Sequence, residues 1–411
     1  VNRAAPTASV PSAGLLTSED GVRRVQAALR ELDLDGWLLY EFHGVNRIAV
    51  ALLGLGKTTR RSFVLIPSEG EPVALIHAIE ASSWRHWPFA RRVYAGWRDL
   101  EEQVAELVSG RSRLAMEISP GGAVPGLDYV PAGAASMLLG LAGKDGLELA
   151  SSGDLVSRFH SAWTPAHLTD HRRAAEIVAD VAKRAFRRAA DAVRSGKPTT
   201  EGALSDWIRA ELRAAGLTEQ MDCIVAIGPR AADPHYAPEG RGETIGKGAV
   251  LLIDLWGSFP GSVAADQTWM GALAASVDAK TREVWEAVRD ARDAALDFLR
   301  TKARQGAVVR GYEVDDVARA VIRERGFGDQ FVHRTGHSID TELHGSGPNL
   351  DNLETKDDRM LVPGVGFSVE PGVYVPGKLG VRSEVNVHWG PDGPEVTPGT
   401  AQQDIFLLLD D

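Results

Sequence analysis

The chain has 411 residues, 44% hydrophobic and 25% charged, with a formal net charge of −11. That length suits two domains better than one, and the acidic balance opposes a general binder of nucleic acid or anionic membrane. The single cysteine, Cys223, excludes an intrachain disulfide and a cysteine-built metal cage, so any metal must be held by His, Asp and Glu.

Residues 1–18, beginning "VNRAAPTASVPSAG", are expected to form a flexible tail without the apolar core of a signal peptide. No apolar run reaches membrane-spanning length, and the cytoplasm is the expected compartment. Val22, Val25, Leu29 and Leu32 recur with helical spacing, and the strand-like "GWLLYEF" follows. "SFVLIPSEGEPVALIHAIE" places two apolar runs around a Ser-Glu-Gly-Glu-Pro turn and predicts a hairpin. "DLEEQVAELVSG" predicts a helix stopped by Gly110, and "RLAMEI" a strand. This alternation predicts an α/β domain with a mixed sheet over residues 1–165.

From Thr164 the pattern changes. A long helix runs to "RSGKP", and a second lies between Thr200, a plausible N-cap, and Gly216. Strand-like "CIVAIG", "AVLLIDLWG" and "AADQTWMGAL" follow, then helices over Thr281 to Thr301 and Val314 to Glu324. "FVHRTGHSI", "GFSVEPGVYVPG", "GVRSEVNVHW" and "DIFLLLD" complete the chain. Residues 166–411 are therefore expected to form an α+β domain with an antiparallel sheet.

The acids in this second half call for a physical reason. Asp254 and Asp266 each close an apolar run on either side of a Gly/Ser/Pro turn, and a buried unpaired carboxylate is costly. Glu370 ends another apolar run, and Glu384 shares a polar face with Arg382, Asn386 and His388 opposite Val381, Val385 and Val387. "HRTGHSIDTELHG" adds His333, His337 and His344. Singly, a strand-end Asp is a turn former, a strand Glu is solvated or paired with Arg, and a loop His is structural. Together, four carboxylates and an imidazole match a hard-ligand site for Mn, Zn, Co or Fe. Two divalent ions sharing bridging carboxylates would balance the charge, with a hydroxide held between them.

The order Asp, Asp, His, Glu, Glu resembles the pita-bread metallopeptidases, the group of prolidase, aminopeptidase P and methionine aminopeptidase, with creatinase as their non-metal relative. The first half resembles the creatinase-like N-terminal domain of prolidase and aminopeptidase P, which points away from methionine aminopeptidase. The resemblance implies metal ligands at Asp254, Asp266, His337, Glu370 and Glu384, with Asp266 and Glu384 bridging. It implies two divalent ions, manganese first and zinc or cobalt as alternatives. Glu370 would handle the proton of the attacking water, with His344 and His235 as further catalytic groups. His235, His333, His344, Tyr374 and Arg382 would contact substrate. The implied activity is hydrolysis of Xaa-Pro bonds in short proline-containing peptides by a homodimer, with no nucleic-acid or membrane partner. Alternatives are a carboxypeptidase of the same family, a creatinase-like hydrolase and a non-catalytic pita-bread binding protein. His160, His167, His171 and His388 match no family position.

Departures mark a divergent subfamily. The Asp254–Asp266 interval is one residue longer than usual, which predicts a bulged turn. Gln267-Thr268-Trp269 stands where Ile-Thr-Arg is usual, and the lost arginine should alter the surroundings of the site. Gly345 replaces an acid after His344, and Val385 follows Glu384.

Overall fold

The computed structural model describes residues 14–56, 58–142, 146–238 and 240–409, so residues 1–13 of the expected tail lie outside the described residues. The remaining tail residues are built into the fold. Leu15–Thr17 form a 3₁₀ turn with Leu16 buried, and Ser18 caps the first helix by accepting the Gly21 N–H at 3.0 Å. The chain divides into two compact units, Val1–His160 and Ser161–Asp411.

In the first unit the order is α1 (Glu19–Glu31), β1 (Gly36–Glu41), α2 (Arg47–Leu53), β2 (Ser62–Pro67), β3 (Val73–His77), β4 (Ala90–Tyr94), α3 (Trp97–Val108), β5 (Arg113–Met116), α4 (Ala132–Leu141), β6 (Glu148–Ser151) and α5 (Gly153–Phe159). The sheet order is β4-β3-β2-β1-β5-β6. The expected hairpin is β2–β3, with Phe63 opposite Leu75, while β3–β4, β1–β5 and β5–β6 are parallel. The sheet is mixed, as expected. Both faces of β1 are buried, which explains its unbroken apolar run. Trp37 and Leu39 pack with α1 and α2, whereas Leu38 and Tyr40 pack with α3.

The second unit opens with α6 (Pro165–Arg194) and α7 (Glu201–Ala214), capped by Thr164 and Thr200 as their spacing predicts. Trp163, just before α6, is tied into this unit by its indole N–H to the Ile339 carbonyl at 2.7 Å. Then come β7 (Glu219–Ile227), β8 (Val250–Ser258), β9 (Ala265–Ala272), α8 (Ala279–Arg304) and α9 (Gly311–Glu324). The remainder is β10 (Ser338–Ile339), β11 (Gly366–Val369), β12 (Gly372–Val375), β13 (Leu379–Arg382), β14 (Val385–Gly390), β15 (Gly393–Thr397) and β16 (Phe406–Leu407). Strands β7, β8 and β9 form an antiparallel meander, and β10-β11-β14-β15 and β12-β13 are antiparallel too; only β16 joins β9 in parallel.

Leu251, Ile253, Leu255 and Trp269 cover one face of the meander with α6 and α7. Leu252 and Met270 point the other way, into a core shared with α8, α9 and β11 to β14. By the two-residue period of a strand, Asp254 falls in phase with Leu252, and Asp266 with Met270. The carboxylates therefore sit on this second face.

One expectation changes here. Asp254 does not end its strand but lies within β8, which continues to Ser258. The β8–β9 ladder is unbroken from Val250↔Ala272 to Gly257↔Ala265, so the longer interval is taken up in the connecting turn and no bulge interrupts this pair. The bulge in this sheet lies in β7, between Glu219 and Asp222. No helix among the described residues is long and apolar enough to cross a membrane.

The 3₁₀ turn Gly228–Ala232 packs directly on β13 at Gly380, where a Cβ would lie 1.6 Å from the Ala231 carbonyl oxygen. Gly380→Ala should therefore destabilise the protein by about 1–3 kcal/mol, the usual cost of overpacking. Denaturant unfolding checks this; an unchanged midpoint would contradict the close approach.

Candidate metal centre

Strands β8 and β9 and the turns beside β10, β11 and β14 deliver the predicted acids and histidine to one cavity of about 610 Å³, lined by Asp254, Asp266, His337, Glu370 and Glu384. Asp254 and Asp266 are diagonal neighbours on one face, since Asp254 stands opposite Thr268 and Asp266 opposite Trp256. Asn386 fixes Asp266 from β14. Its side-chain oxygen accepts the Asp266 N–H at 2.9 Å, and its NH2 donates to the Asp266 carbonyl at 2.7 Å. Glu384 sits in the break between β13 and β14, held by its N–H to the Thr268 carbonyl at 3.3 Å. Glu370 follows β11, its N–H bonded to the Thr335 carbonyl at 2.7 Å.

His337 Nδ1 lies 3.1 Å from the Ser338 carbonyl and donates to it, leaving Nε2 to face Asp266 Oδ2 at 3.4 Å and Glu370 Oε1 at 3.5 Å. Ligand atoms of Asp266, His337 and Glu384 all lie within 4.8 Å of one another, and all three residues are buried. Asp254 Oδ1, Asp266 Oδ1 and Glu384 Oε1 are buried oxygens with no hydrogen-bond partner. Three such orphans in one wall are energetically expensive unless a cation meets them, so these donors fit hard divalent metal chemistry.

Arg382 is the internal counter-charge. Its Nε donates to Thr268 Oγ1 at 2.8 Å, Nη1 to Tyr374 OH at 3.2 Å, and Nη2 to Asp254 Oδ2. Thr268 Oγ1 donates in turn to Glu384 Oε2 at 2.7 Å. Burial, only partly opposed by Arg382, pushes Asp254 up to about 7. Burial raises Asp266, and burial with the neighbouring acids holds Glu384 well above the usual carboxylate range. Glu370 behaves oppositely. Burial works against its charge, but His337, His333 and Arg382 outweigh it and hold its pKa down.

The remaining candidates divide. His235, His333, His344 and Arg382 line the cavity, and the His344 ring meets the His337 ring edge to face at 4.3 Å between centroids. Tyr374 does not line it: buried behind the wall, it joins its hydroxyl to His333 Nε2 at 2.9 Å. His333 Nδ1 lies 2.7 Å from the Arg334 carbonyl and donates to it, Nε2 pairs with the Tyr374 hydroxyl, and burial pushes the pKa of the imidazole down. Of the histidines outside the family pattern, His171 is buried between the Ala264 carbonyl at 2.9 Å and Thr397 Oγ1 at 2.7 Å, and His388 stacks on Trp163.

The sequence reading missed Thr268, Arg334 and Glu354, and gave Asn386 no role beyond the polar face it shares with Glu384. Thr268 was visible only as part of an altered triplet. Arg334 and Glu354 line the cavity, 3.8 Å apart at Nη1 and Oε2, but nothing in their spacing pairs them. Gln267 and Trp269 face away from the site. Gln267 bonds the Ala175 carbonyl of α6 at 2.9 Å and accepts the Trp269 indole N–H at 3.0 Å, and Trp269 stacks on Phe406. The unusual triplet thus alters how a helix seats on the sheet and leaves the cavity wall alone.

Residues 170–389 match metallopeptidase family M24, a span that includes the four acids and His337. The chain is similar to an Xaa-Pro dipeptidase of Lactobacillus delbrueckii subsp. lactis, 33% identical over 233 residues, 56% of this chain and 58% of that protein. It is also similar to an Xaa-Pro dipeptidase of Lactobacillus helveticus, 34% identical over 202 residues, 49% of this chain and 50% of that protein. The chain thus spans about half the length of the curated relatives it matches. Its fold is that of dipeptidase PepE from Mycobacterium ulcerans, with a TM-score of 0.70 and 22% identity over 94% of this chain and 96% of that one.

The raised carboxyls make a pH prediction. The folded pKa of Asp254, about 7, lies above the unfolded value of about 3.9. Without metal, ionising Asp254 therefore costs the fold stability as pH rises from about 4 to 7. A cation binding there must displace protons, so its affinity should rise through the same window. Calorimetry with manganese in buffers of different ionisation enthalpy should show net proton release at pH 6 and less at pH 8. Binding without proton exchange would contradict the assigned environment.

Proposed function

Because the chain belongs to metallopeptidase family M24, we propose that it hydrolyses Xaa-Pro bonds in short peptides. In this reading Asp254, Asp266, His337, Glu370 and Glu384 would hold two divalent cations. The observation that carries it is the set of three partnerless buried oxygens, on Asp254, Asp266 and Glu384, facing one cavity with His337. Bound divalent cations would supply a carbonyl-polarising Lewis acid and an acidified water at that wall.

The chain's own groups have separable tasks. Glu370, whose pKa His337, His333 and Arg382 hold down, presents an ionised carboxylate at the cavity to receive the proton of the attacking water. His344 and His235 line the cavity and can donate to oxygen charge that develops during attack. His333, fixed by Tyr374, offers a flat wall with Ile224, Trp256, Val332 and Leu343 for a compact ring. A proline nitrogen has no hydrogen in the peptide, so this wall needs no acceptor for it. Arg382 has its donors engaged inside the wall, which favours a role orienting Asp254 and Thr268 over one binding a substrate carboxylate. Arg334, with only the 3.8 Å approach to Glu354, is the guanidinium available for that carboxylate. The reading carries residues 166–411 as the catalytic domain, manganese as the first metal to test, a homodimer as the assembly and the cytoplasm as the compartment.

Manganese-loaded protein should release the first residue from Xaa-Pro dipeptides or longer Xaa-Pro peptides. Asp266→Ala should reduce this by more than about 100-fold, the upper range for losing a group that merely supports a metal ligand, and should lower bound metal. Release of a C-terminal residue would replace this reading with the carboxypeptidase. No cleavage with manganese, zinc or cobalt would favour the binding protein, and full activity of Asp266→Ala would overturn the ligand set.

A further inference from the structure

The loop that carries His344 is fastened from two sides, and one fastener lies far away in sequence. Asp340, buried, gathers the loop from within. Its Oδ1 accepts the Glu342 N–H at 2.8 Å, and its Oδ2 accepts the Ser346 N–H at 2.7 Å and Ser161 Oγ at 3.1 Å. Gly345 passes so close that a Cβ there would lie 2.8 Å from the Asp340 carboxyl. From outside comes Gln220, on the bulged stretch of β7. Its side-chain NH2 donates to the Thr341 carbonyl, and its side-chain oxygen accepts the Leu343 N–H. One amide thus spans the backbone of the two residues flanking Glu342, and His344 is next in the chain.

The backbone at Gln220 is unusual as well. Its φ is +45°, in the left-handed region that a residue with a Cβ enters at a cost. Glycine would be the cheaper residue for the backbone alone. A residue that keeps a long amide in a glycine-like conformation is using its side chain. Among the described residues its side-chain hydrogen bonds go to the His344 loop.

We propose that Gln220 is a positioning residue: its amide clamps residues 341–343 and so holds the His344 ring against His337 at the cavity. The catalytic consequence rests on the peptidase reading above; the clamp itself does not. Gln220→Gly separates the two roles of the position, because it relieves the backbone while deleting the amide.

Hydrogen exchange on the metal-loaded full chain tests the clamp directly. In Gln220→Gly and Gln220→Ala, exchange of the Leu343 amide should accelerate by about 10-fold or more, the loss expected for one hydrogen bond. Gly345, whose N–H bonds the Ser338 carbonyl at 2.7 Å, should stay protected. Gln220→Gly should keep a midpoint at least as high as Gln220→Ala and normal metal content. Its kcat on an Xaa-Pro peptide should fall about 10-fold, and the same substitution made in a His344→Ala background should have little further effect. Unchanged Leu343 exchange in Gln220→Gly would overturn the clamp. Additive losses in the double variant would overturn the link to His344. If the parent protein cleaves no peptide, the peptidase reading fails, and the exchange result together with the His344 ring-proton shift still decides whether Gln220 positions that ring.

Discussion

Everything in the second unit is arranged around an excess of buried negative charge. Asp254, Asp266, Glu370 and Glu384 face one cavity, and the protein sets against them Arg382 and whatever proton His337 carries. Burying charges without full compensation is among the most expensive things a fold can do. The site meets that cost unevenly. Arg382 leans on Asp254, Thr268 satisfies one oxygen of Glu384, and His337 approaches Asp266 and Glu370. What is left over is three oxygens with nothing to meet them. The same shortage keeps Asp254 and Glu384 prone to hold protons, while His337, His333 and Arg382 together hold the pKa of Glu370 down. An uneven set of this kind can bind cations and still keep a carboxylate free to accept a proton.

The strand framework makes that crowding possible. Carboxylates on adjacent antiparallel strands share a face whenever the register pairs them directly or diagonally. The unbroken β8–β9 ladder does this for Asp254 and Asp266, and β14 reaches across through Asn386 to tie the second group of strands to the first. On the opposite face of the same strands, Gln267 and Trp269 have quite different work, seating α6. A one-residue slip would exchange the two sets, placing carboxylates under a helix and an indole in the cavity. Register is therefore the property on which both the helix packing and the site depend.

Much of this was legible in the sequence, and the reason is periodicity. The mixed sheet, the long α6, the β7–β9 meander and the acids on strands and turns follow from apolar spacing and from caps such as Thr164 and Thr200. Less legible were features set by long-range contact. Asp254 was expected to end its strand because a carboxylate after an apolar run resembles a turn former; β8 continues because the cavity, not solvent, receives the side chain. The extra residue before Asp266 was expected in the turn, and the unbroken ladder leaves it there; a bulge in that ladder would have rotated one carboxylate off the shared face. Tyr374 stands behind His333 with its hydroxyl on Nε2, a placement that a sequence offset does not reveal. Thr268, Asn386 and Gln220 carry no local signal, because each is defined by partners more than a hundred residues away.

Burial alone does not separate the acids that act from those that hold. Asp315 on α9 is fully buried, yet its Oδ1 accepts the Thr335 N–H and hydroxyl at 2.9 and 2.6 Å, and its Oδ2 accepts Arg319 Nε at 2.6 Å and the Asn352 N–H at 2.9 Å. Asp357 is likewise saturated, by Arg359 and by the Asn349 N–H at 2.9 Å. Such carboxylates serve as internal caps for irregular backbone. The acids at the cavity differ in having an oxygen to spare, and that spare valence, not depth, is the mark of a binding group. The two kinds are nevertheless joined. Asp315 fixes Thr335, and the Thr335 carbonyl accepts the Glu370 N–H at 2.7 Å two residues before His337 leaves the same segment. The saturated acids stiffen the turns from which the unsaturated ones project, and only a stiff turn can keep like charges this close until a cation arrives.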